Sequence, residues 1–365
     1  MQDRGRNRAT RRNRLMKRTL SEVSSGRVAG VGNARVAGVV ACLPSRVVTN
    51  EVFGDRFGAG VAEVTRMTGV VRRHWVDETT TASDLCCAAG ERLLGGLNWE
   101  AASVDAILFI SQTPDYRLPA TAPILQTRLG LRTNIIAFDV NLGCSAYPYG
   151  LWLAMMMVES GAARRVLLAV GDTSSRVVDP NDRATALLFG DCGTVTAIER
   201  ADDGEDAYFI LGSDGRGACN LIIPKGGFRS KVPESPNDPE KLFMDGGEIF
   251  AFTLKAVPPL VADTVAAAQR TIADYDGFLF HQANTFMIKH LMKKSKLPPE
   301  KVPINIDRFG NTSSATIPLL LADEMASGLR EREMRLAMFG FGVGYSWASA
   351  SLSMGPLACV ETMQL

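Results

Sequence analysis

Five apolar runs punctuate the chain: AILFISQT (106–113), NIIAFDVN (134–141), RVLLAVGD (165–172), DGFLFHQAN (276–284) and RLAMFGFG (335–342). Each is close to continuous rather than alternating, which is how a strand reads when both faces of its sheet are covered. Between them, the spacing of apolar positions predicts helices over 82–94, 145–160, 249–270 and 315–328. Strands followed by helices in this order argue for an α/β fold. Polar loops interrupt the pattern at 201–207 and at 228–241, where three prolines exclude regular structure.

The pattern also echoes itself. VDAILFISQT (104–113) matches YDGFLFHQAN (275–284), NLGCSAYPYGLWLA (141–154) matches RFGNTSSATIPLLLA (308–322), and RRVLLAVGD (164–172) matches MRLAMFGFG (334–342). Three matches in one order, at offsets of 167 to 171 residues, predict a duplicated α/β unit. The expected halves are 35–205 and 206–365, preceded by an extension over 1–34.

Composition changes the picture only at the start of the chain. The 365 residues are 46% hydrophobic, as an ordinary globular protein is, and the formal charge is +1. That balance conceals a basic segment: residues 1–18 carry Arg4, Arg6, Arg8, Arg11, Arg12, Arg14, Lys17 and Arg18 against Asp3 alone. The expectation is a disordered extension or an upstream start codon; a nucleic-acid arm, a membrane tether and an organellar transit peptide stay open beside it. No secretory h-region follows, and no run reaches the roughly 18 apolar residues of a membrane span. The longest candidate, LWLAMMMVES, ends at Glu159 and Ser160. The sequence therefore predicts a cytoplasmic protein with neither a membrane nor a nucleic acid as partner.

Seven cysteines, an odd number without CxxC spacing, give no sign of a disulfide framework or a zinc site. One of them stands apart. Cys144 lies between a buried strand and an apolar helix, after Gly143 and before the small residues Ser145 and Ala146. A thiol there faces unpaired N–H groups and the positive end of the helix dipole, so its expected pKa lies below about 8.5. Its own N–H would point at a thioester oxyanion.

The echo sets Asn311 in the place of Cys144, and His281 at the end of a strand. Taken singly, Cys144 also reads as a small core residue, His281 as a strand-end surface residue and Asn311 as a helix cap. Taken together, three such groups at element ends suit thiolate acyl transfer, with imidazole and amide donors holding a developing oxyanion. Papain-like proteases use the same residue types, but GCSAY is not their signature and the cysteine is mid-chain.

At these residues the sequence resembles the thiolase superfamily, specifically the β-ketoacyl-acyl-carrier-protein synthase III group, from about Arg35 onward. The motifs are CLPSRVVTN (42–50), MTGVVRRHW (67–75), AFDVNLGCSAYPYGL (137–151), DRATALLFGDCGT (182–194), GSDGRGA (212–218), MDGGEIFAFTL (244–254), HQAN (281–284), FGNTSSATIP (309–318) and GFGVGYSWAS (340–349). The resemblance implies a five-layer α-β-α-β-α double domain and a homodimer. It implies that Cys144 accepts an acyl group from a coenzyme A or carrier-protein thioester, with no permanently bound cofactor and no metal. His281 and Asn311 would then hold a malonyl-type thioester through decarboxylation and Claisen condensation, in fatty-acid or specialised-metabolite biosynthesis. The N–H groups of Cys144 and Gly344 would form the oxyanion hole.

The resemblance also sets Arg183, Leu118, Asn284 and Phe286 along the substrate path, and lets Lys293, Lys294 and Lys296 dock an acyl carrier protein. Departures accompany it: Glu63 and Met67 stand where the family has a tryptophan and an arginine gripping coenzyme A. Leu118 stands for the aromatic gate of the acyl pocket, and Phe286 for a basic docking residue. These departures point to an acyl donor carried on a protein, or an unusual thioester. An acyltransferase passing the Cys144 acyl group to an alcohol or amine, and an inactive partner subunit, remain the alternatives.

Overall fold

The computed structural model describes residues 22–202, 205–229 and 238–365, so the basic segment 1–18 lies outside the described residues. In chain order the main elements are β1 (Gly26–Val31), β2 (Ala34–Leu43), α1 (Ala82–Leu97), β3 (Ala106–Ile110), β4 (Ile136–Val140), α2 (Ala146–Glu159), β5 (Arg165–Thr173) and β6 (Asp191–Arg200). They continue with β7 (Ala207–Ser213), α3 (Gly246–Ala267), β8 (Gly277–Phe280), α4 (Thr285–Lys294), α5 (Thr316–Asp323), β9 (Met334–Gly342), β10 (Ser346–Met354) and β11 (Cys359–Gln364).

Two six-stranded sheets result. The first has the order β11-β2-β6-β5-β3-β4, and the second runs from Glu22–Val23 through β1-β7-β10-β9-β8. In both, a parallel pair (β3 with β5, β8 with β9) adjoins an antiparallel partner, β6 or β10. The echo in sequence is thus an echo in topology. Among the described residues the second sheet has no counterpart of β4, and a short helix, Ile306–Phe309, stands before Asn311 instead.

Every residue of β3 is buried because both of its faces are covered. Ala106, Leu108 and Ile110 pack in the central layer with α2 and α5, while Ile107 and Phe109 pack outward on α1. The second sheet divides the same way: Leu336 and Met338 face the central layer, and Ala337 and Phe339 face α3 and α4. Five layers, α-β-α-β-α, follow from those covered faces.

The ends of the chain correct the expected division. Residues 26–31, assigned above to the extension, form β1 and pair with β7 in the second sheet. Its entry is pinned by Ser25, whose hydroxyl donates to Asp263 on α3 at 2.6 Å. Conversely β11, from the expected second half, pairs in parallel with β2 of the first sheet. Each sheet is thereby edged by a strand from the other end of the chain. The expected helix 315–328 breaks into α5 and a shorter helix, Ala326–Glu331. Helix α3 has the length and apolarity of a membrane span, against the expectation from sequence, but Val257, Leu260 and Val261 on it pack in the outer core.

Candidate active site

Helix α2 begins at Ala146 directly after the turn Cys144–Ser145, with Ser145 as its N-cap residue and the Ala146 N–H donating to Gly143 O at 2.8 Å. Cys144 is thus held at the mouth of the helix, partly exposed. Glycines let other backbone approach it: a Cβ on Gly342, at the end of β9, would lie 2.6 Å from the Cys144 Cβ and 2.9 Å from its sulfur. A Cβ on Gly143 would collide with Gln112 Oε1. The two turns are laced together, since the Ser145 and Ser346 hydroxyls are 2.7 Å apart and Ser346 donates to Val343 O.

The thiol does not match its sequence expectation. Burial pushes the Cys144 pKa up to about 12, and hydrogen bonds from the Val343 backbone, its own backbone and the Ser313 side chain offset this only in part. A helix N-terminus lowers a thiol pKa, whereas burial in apolar surroundings raises it. Here desolvation of the anion is the larger effect.

His281 follows β8, its N–H donating to Phe339 O at 2.8 Å. The imidazole is 2% exposed, stands edge-on to Phe341 at 5.6 Å, and has Nδ1 2.7 Å from the Thr316 hydroxyl. Burial lowers its pKa to about 3, so the ring is neutral. With Nδ1 held by Thr316, Nε2 is the nitrogen available for chemistry.

Asn311 is fixed by its backbone, its N–H donating to Leu188 O at 2.9 Å and its carbonyl accepting from the Gly190 N–H at 3.0 Å. Its Oδ1 accepts from the Ser313 N–H at 2.9 Å, which turns the side-chain NH₂ outward as a donor. Ser313 is therefore the common neighbour of the three candidates: side chain to Cys144, N–H to Asn311, backbone to His281. Its φ of 51° is a left-handed conformation for a residue with a Cβ, the kind of strain found at functional sites. Ser314, next along, is held by the buried Asp172 carboxylate, which accepts from its hydroxyl at 2.6 Å and its N–H at 3.2 Å.

A cavity of about 370 Å³ opens beside Cys144, lined by Gln112, Asn141, Ser174, Phe189, Leu242 and Gly344 among others. His281 and Asn311 do not line it; Ser313 does. Cys144 and Ser313 thus line the cavity, and Ser313 connects it to His281 and Asn311.

The remaining predicted residues lie further out. Leu118 is 79% exposed, before Pro119. Phe286 is 55% exposed and packs on Phe250 at 5.7 Å. Asn284 caps α4, its Oδ1 accepting from the Met287 N–H at 2.7 Å, so only its amide nitrogen is left for a ligand. Arg183 meets Glu63 at 3.2 Å. Lys293, Lys294 and Lys296 are exposed at the C-terminal end of α4, where Lys294 also donates to Leu254 O. Sequence reasoning missed Thr316, Ser313, Asp172 and Val343. Ser313 and Thr316 lay inside the quoted FGNTSSATIP motif, so proximity to Asn311 was the available signal. Among the described residues no group of His, Cys, Asp and Glu is arranged to hold a metal ion.

Comparison with known proteins places these features in context. Residues 138–215 match the model for 3-oxoacyl-[acyl-carrier-protein] synthase III, and residues 265–354 match that for its C-terminal part. The chain is 36% identical to the β-ketoacyl-[acyl-carrier-protein] synthase III 2 of Streptomyces coelicolor, over 88% of this chain and 94% of that one. A solved 3-oxoacyl-(acyl-carrier protein) synthase from Burkholderia xenovorans superposes with a TM-score of 0.92 at 55% identity, covering 94% of this chain and all of the other. The priming β-ketosynthase of the R1128 polyketide pathway superposes with a TM-score of 0.78 at 26% identity, over 89% of this chain and 97% of that one.

Proposed function

The chain belongs to the 3-oxoacyl-[acyl-carrier-protein] synthase III family and is an acyl-transferring condensing enzyme, and on that premise we propose how its residues divide the work. Cys144 Sγ attacks the carbonyl of an acyl thioester, the new C–S bond forming as the donor's C–S bond breaks and the thiol proton passing to the departing thiolate. The His281 pKa of about 3 keeps the imidazole neutral, too weak a base to take up that proton, so its part is to donate a hydrogen bond. The N–H groups of Cys144 and Gly344 stabilise the oxyanion of the addition step.

The extender, a malonyl thioester on acyl carrier protein, then presents its carbonyl to His281 and the Asn311 NH₂. Loss of CO₂ leaves an enolate whose oxygen these donors hold, and its carbon attacks the acyl-cysteine. The new carbon–carbon bond forms as the Cys144 C–S bond breaks and the sulfur regains a proton. The observation that carries this assignment is Ser313, which touches Cys144, His281 and Asn311 at once.

The donor in this reading is delivered on a carrier protein rather than as free coenzyme A. Arg183 is already engaged by the Glu63 carboxylate, which would repel the phosphates of coenzyme A. The cationic end of α4, Lys293, Lys294 and Lys296, suits an acidic carrier-protein surface. The enzyme acts as a homodimer through β4, an edge strand whose Ile136 and Phe138 are exposed.

Intact-protein mass spectrometry of wild type and Cys144→Ala, with acyl-coenzyme A and acyl-carrier-protein donors chased by malonyl-carrier protein, tests the scheme. A Cys144-dependent adduct discharged with CO₂ release is expected. An adduct that persists with malonyl-carrier protein but discharges to a hydroxyl or amine would replace condensation with acyl transfer. Tighter binding of acyl-coenzyme A than of its carrier-protein counterpart would overturn the donor assignment.

A further inference from the structure

Three neighbouring parallel strands, in the order β4-β3-β5, each hand a polar side chain to the cavity beside Cys144. Asn141 comes directly after β4, Gln112 two residues after β3, and Ser174 directly after β5. The carboxyl ends of such strands are where α/β sheets hold ligands. Apolar lining is supplied by Val177, Phe189, Leu221 and Leu242. A plain hydrocarbon acyl group would be served by the apolar lining alone, whereas placed polar groups confer specificity for a polar atom.

Gln112 and Asn141 are exposed and Ser174 is buried, and among the described residues none of the three side chains is held by a residue outside this group. Gln112 Nε2 donates to Asn141 Oδ1 at 3.3 Å, which orients the two amides against each other. That leaves Gln112 Oε1 as an acceptor and Asn141 Nδ2 as a donor, neither with a partner among the described residues. The Ser174 hydroxyl is likewise unpartnered, in a residue 5% exposed. Asp172 on the same wall offers nothing further, since Ser111, Gln112, Thr113 and Ser314 already donate to it. The polar pair is also close to the nucleophile, because Gln112 Oε1 fills the space a side chain at Gly143 would need.

We propose that the acyl group loaded on Cys144 carries a hydroxyl near its thioester carbon, which donates to Gln112 Oε1 and accepts from Asn141 Nδ2, with Ser174 completing the polar wall. The substrate class is a hydroxyacyl thioester rather than a simple alkanoyl one. This inference rests on the condensing-enzyme scheme above.

The test compares Cys144 acylation rates, by intact-protein mass spectrometry, for butyryl and hexanoyl groups and their 2-, 3- and 4-hydroxy analogues on one carrier protein. A hydroxyacyl group should load at least ~10-fold faster than its parent, because a site built for a hydroxyl discriminates against its absence. In Ser174→Ala and in Gln112→Leu, that ratio should fall toward one. Equal rates across the wild-type panel would overturn the proposal while leaving the condensing scheme intact, and this comparison does not depend on any variant folding. An adduct that forms equally in Cys144→Ala would overturn the scheme itself, and the proposal with it.

Discussion

The Ser314 hydroxyl donates to the Asp172 carboxylate at 2.6 Å, across 142 residues of sequence. The bond ties the end of β5 in the first sheet to the turn of the second half that holds Asn311 and Ser313. A hydrogen bond to a buried charge is worth about 1.5–3 kcal/mol. Asp172→Asn should therefore lower unfolding free energy by about 2 kcal/mol in urea titrations, and should depress condensation because Ser313 is no longer anchored. Unchanged stability and turnover would remove Asp172 from that role.

Cys144 should behave as a thiol at neutral pH. With its pKa pushed up to about 12 by burial, alkylation by iodoacetamide should climb steadily from pH 6 to pH 10 without levelling. A plateau below pH 8.5 would restore the thiolate expected from the helix mouth.

His281 should contribute no ionisation between pH 5.5 and 8, and decarboxylation of the malonyl thioester should be flat there with no inflection near 6.5. The same shift bears on stability. The folded imidazole, at about 3, binds fewer protons than the unfolded one, at about 6.5, so folding is favoured above pH 6.5 and that contribution drains away as pH falls toward 3. From pH 6.5 to 5 the wild type should lose about 2 kcal/mol more than His281→Asn, as read by chemical denaturation at each pH.

Thr316 is a positioning residue for His281 through its contact at 2.7 Å with Nδ1. Thr316→Val keeps the β-branched shape and removes the hydroxyl, so decarboxylation should fall about 10- to 100-fold, with KM for the malonyl thioester little changed. Thr316→Ser should recover most of the rate. Failure of the serine variant to rescue would reduce Thr316 to packing.

The dimer proposal is read most directly on β4. Phe138→Lys sets a charge on the exposed edge, and sedimentation velocity should then show a single chain where wild type shows two. A wild-type monomer would dismiss the proposal.

The positions of Cys144, His281 and Asn311 were legible because each lies where an apolar run meets a polar turn, and because the duplication aligned two of them. Helix boundaries were legible to within a few residues: α2 spans Ala146–Glu159 against an expected 145–160. Thr316 was not legible as a partner of His281, because a contact between residues 35 apart depends on how α5 docks against β8. The Cys144 pKa was misjudged because position on a helix is local, whereas desolvation is set by β9 and the Ser313 turn closing over the sulfur. Residues 26–31 were assigned to the extension since GRVAGV is short and follows a basic segment; only its pairing with β7 reveals a strand.

The crossing of β1 and β11 has a consequence for the order in which the molecule can be built. Synthesis produces the first sheet earlier, yet that sheet must await residues 359–364 for its outermost strand. The second sheet, made later, finds its N-terminal strands, Glu22–Val23 and β1, already waiting. The two copies of the duplicated unit consequently finish together, and a cut between them at residue 205 would leave neither fragment with a complete sheet.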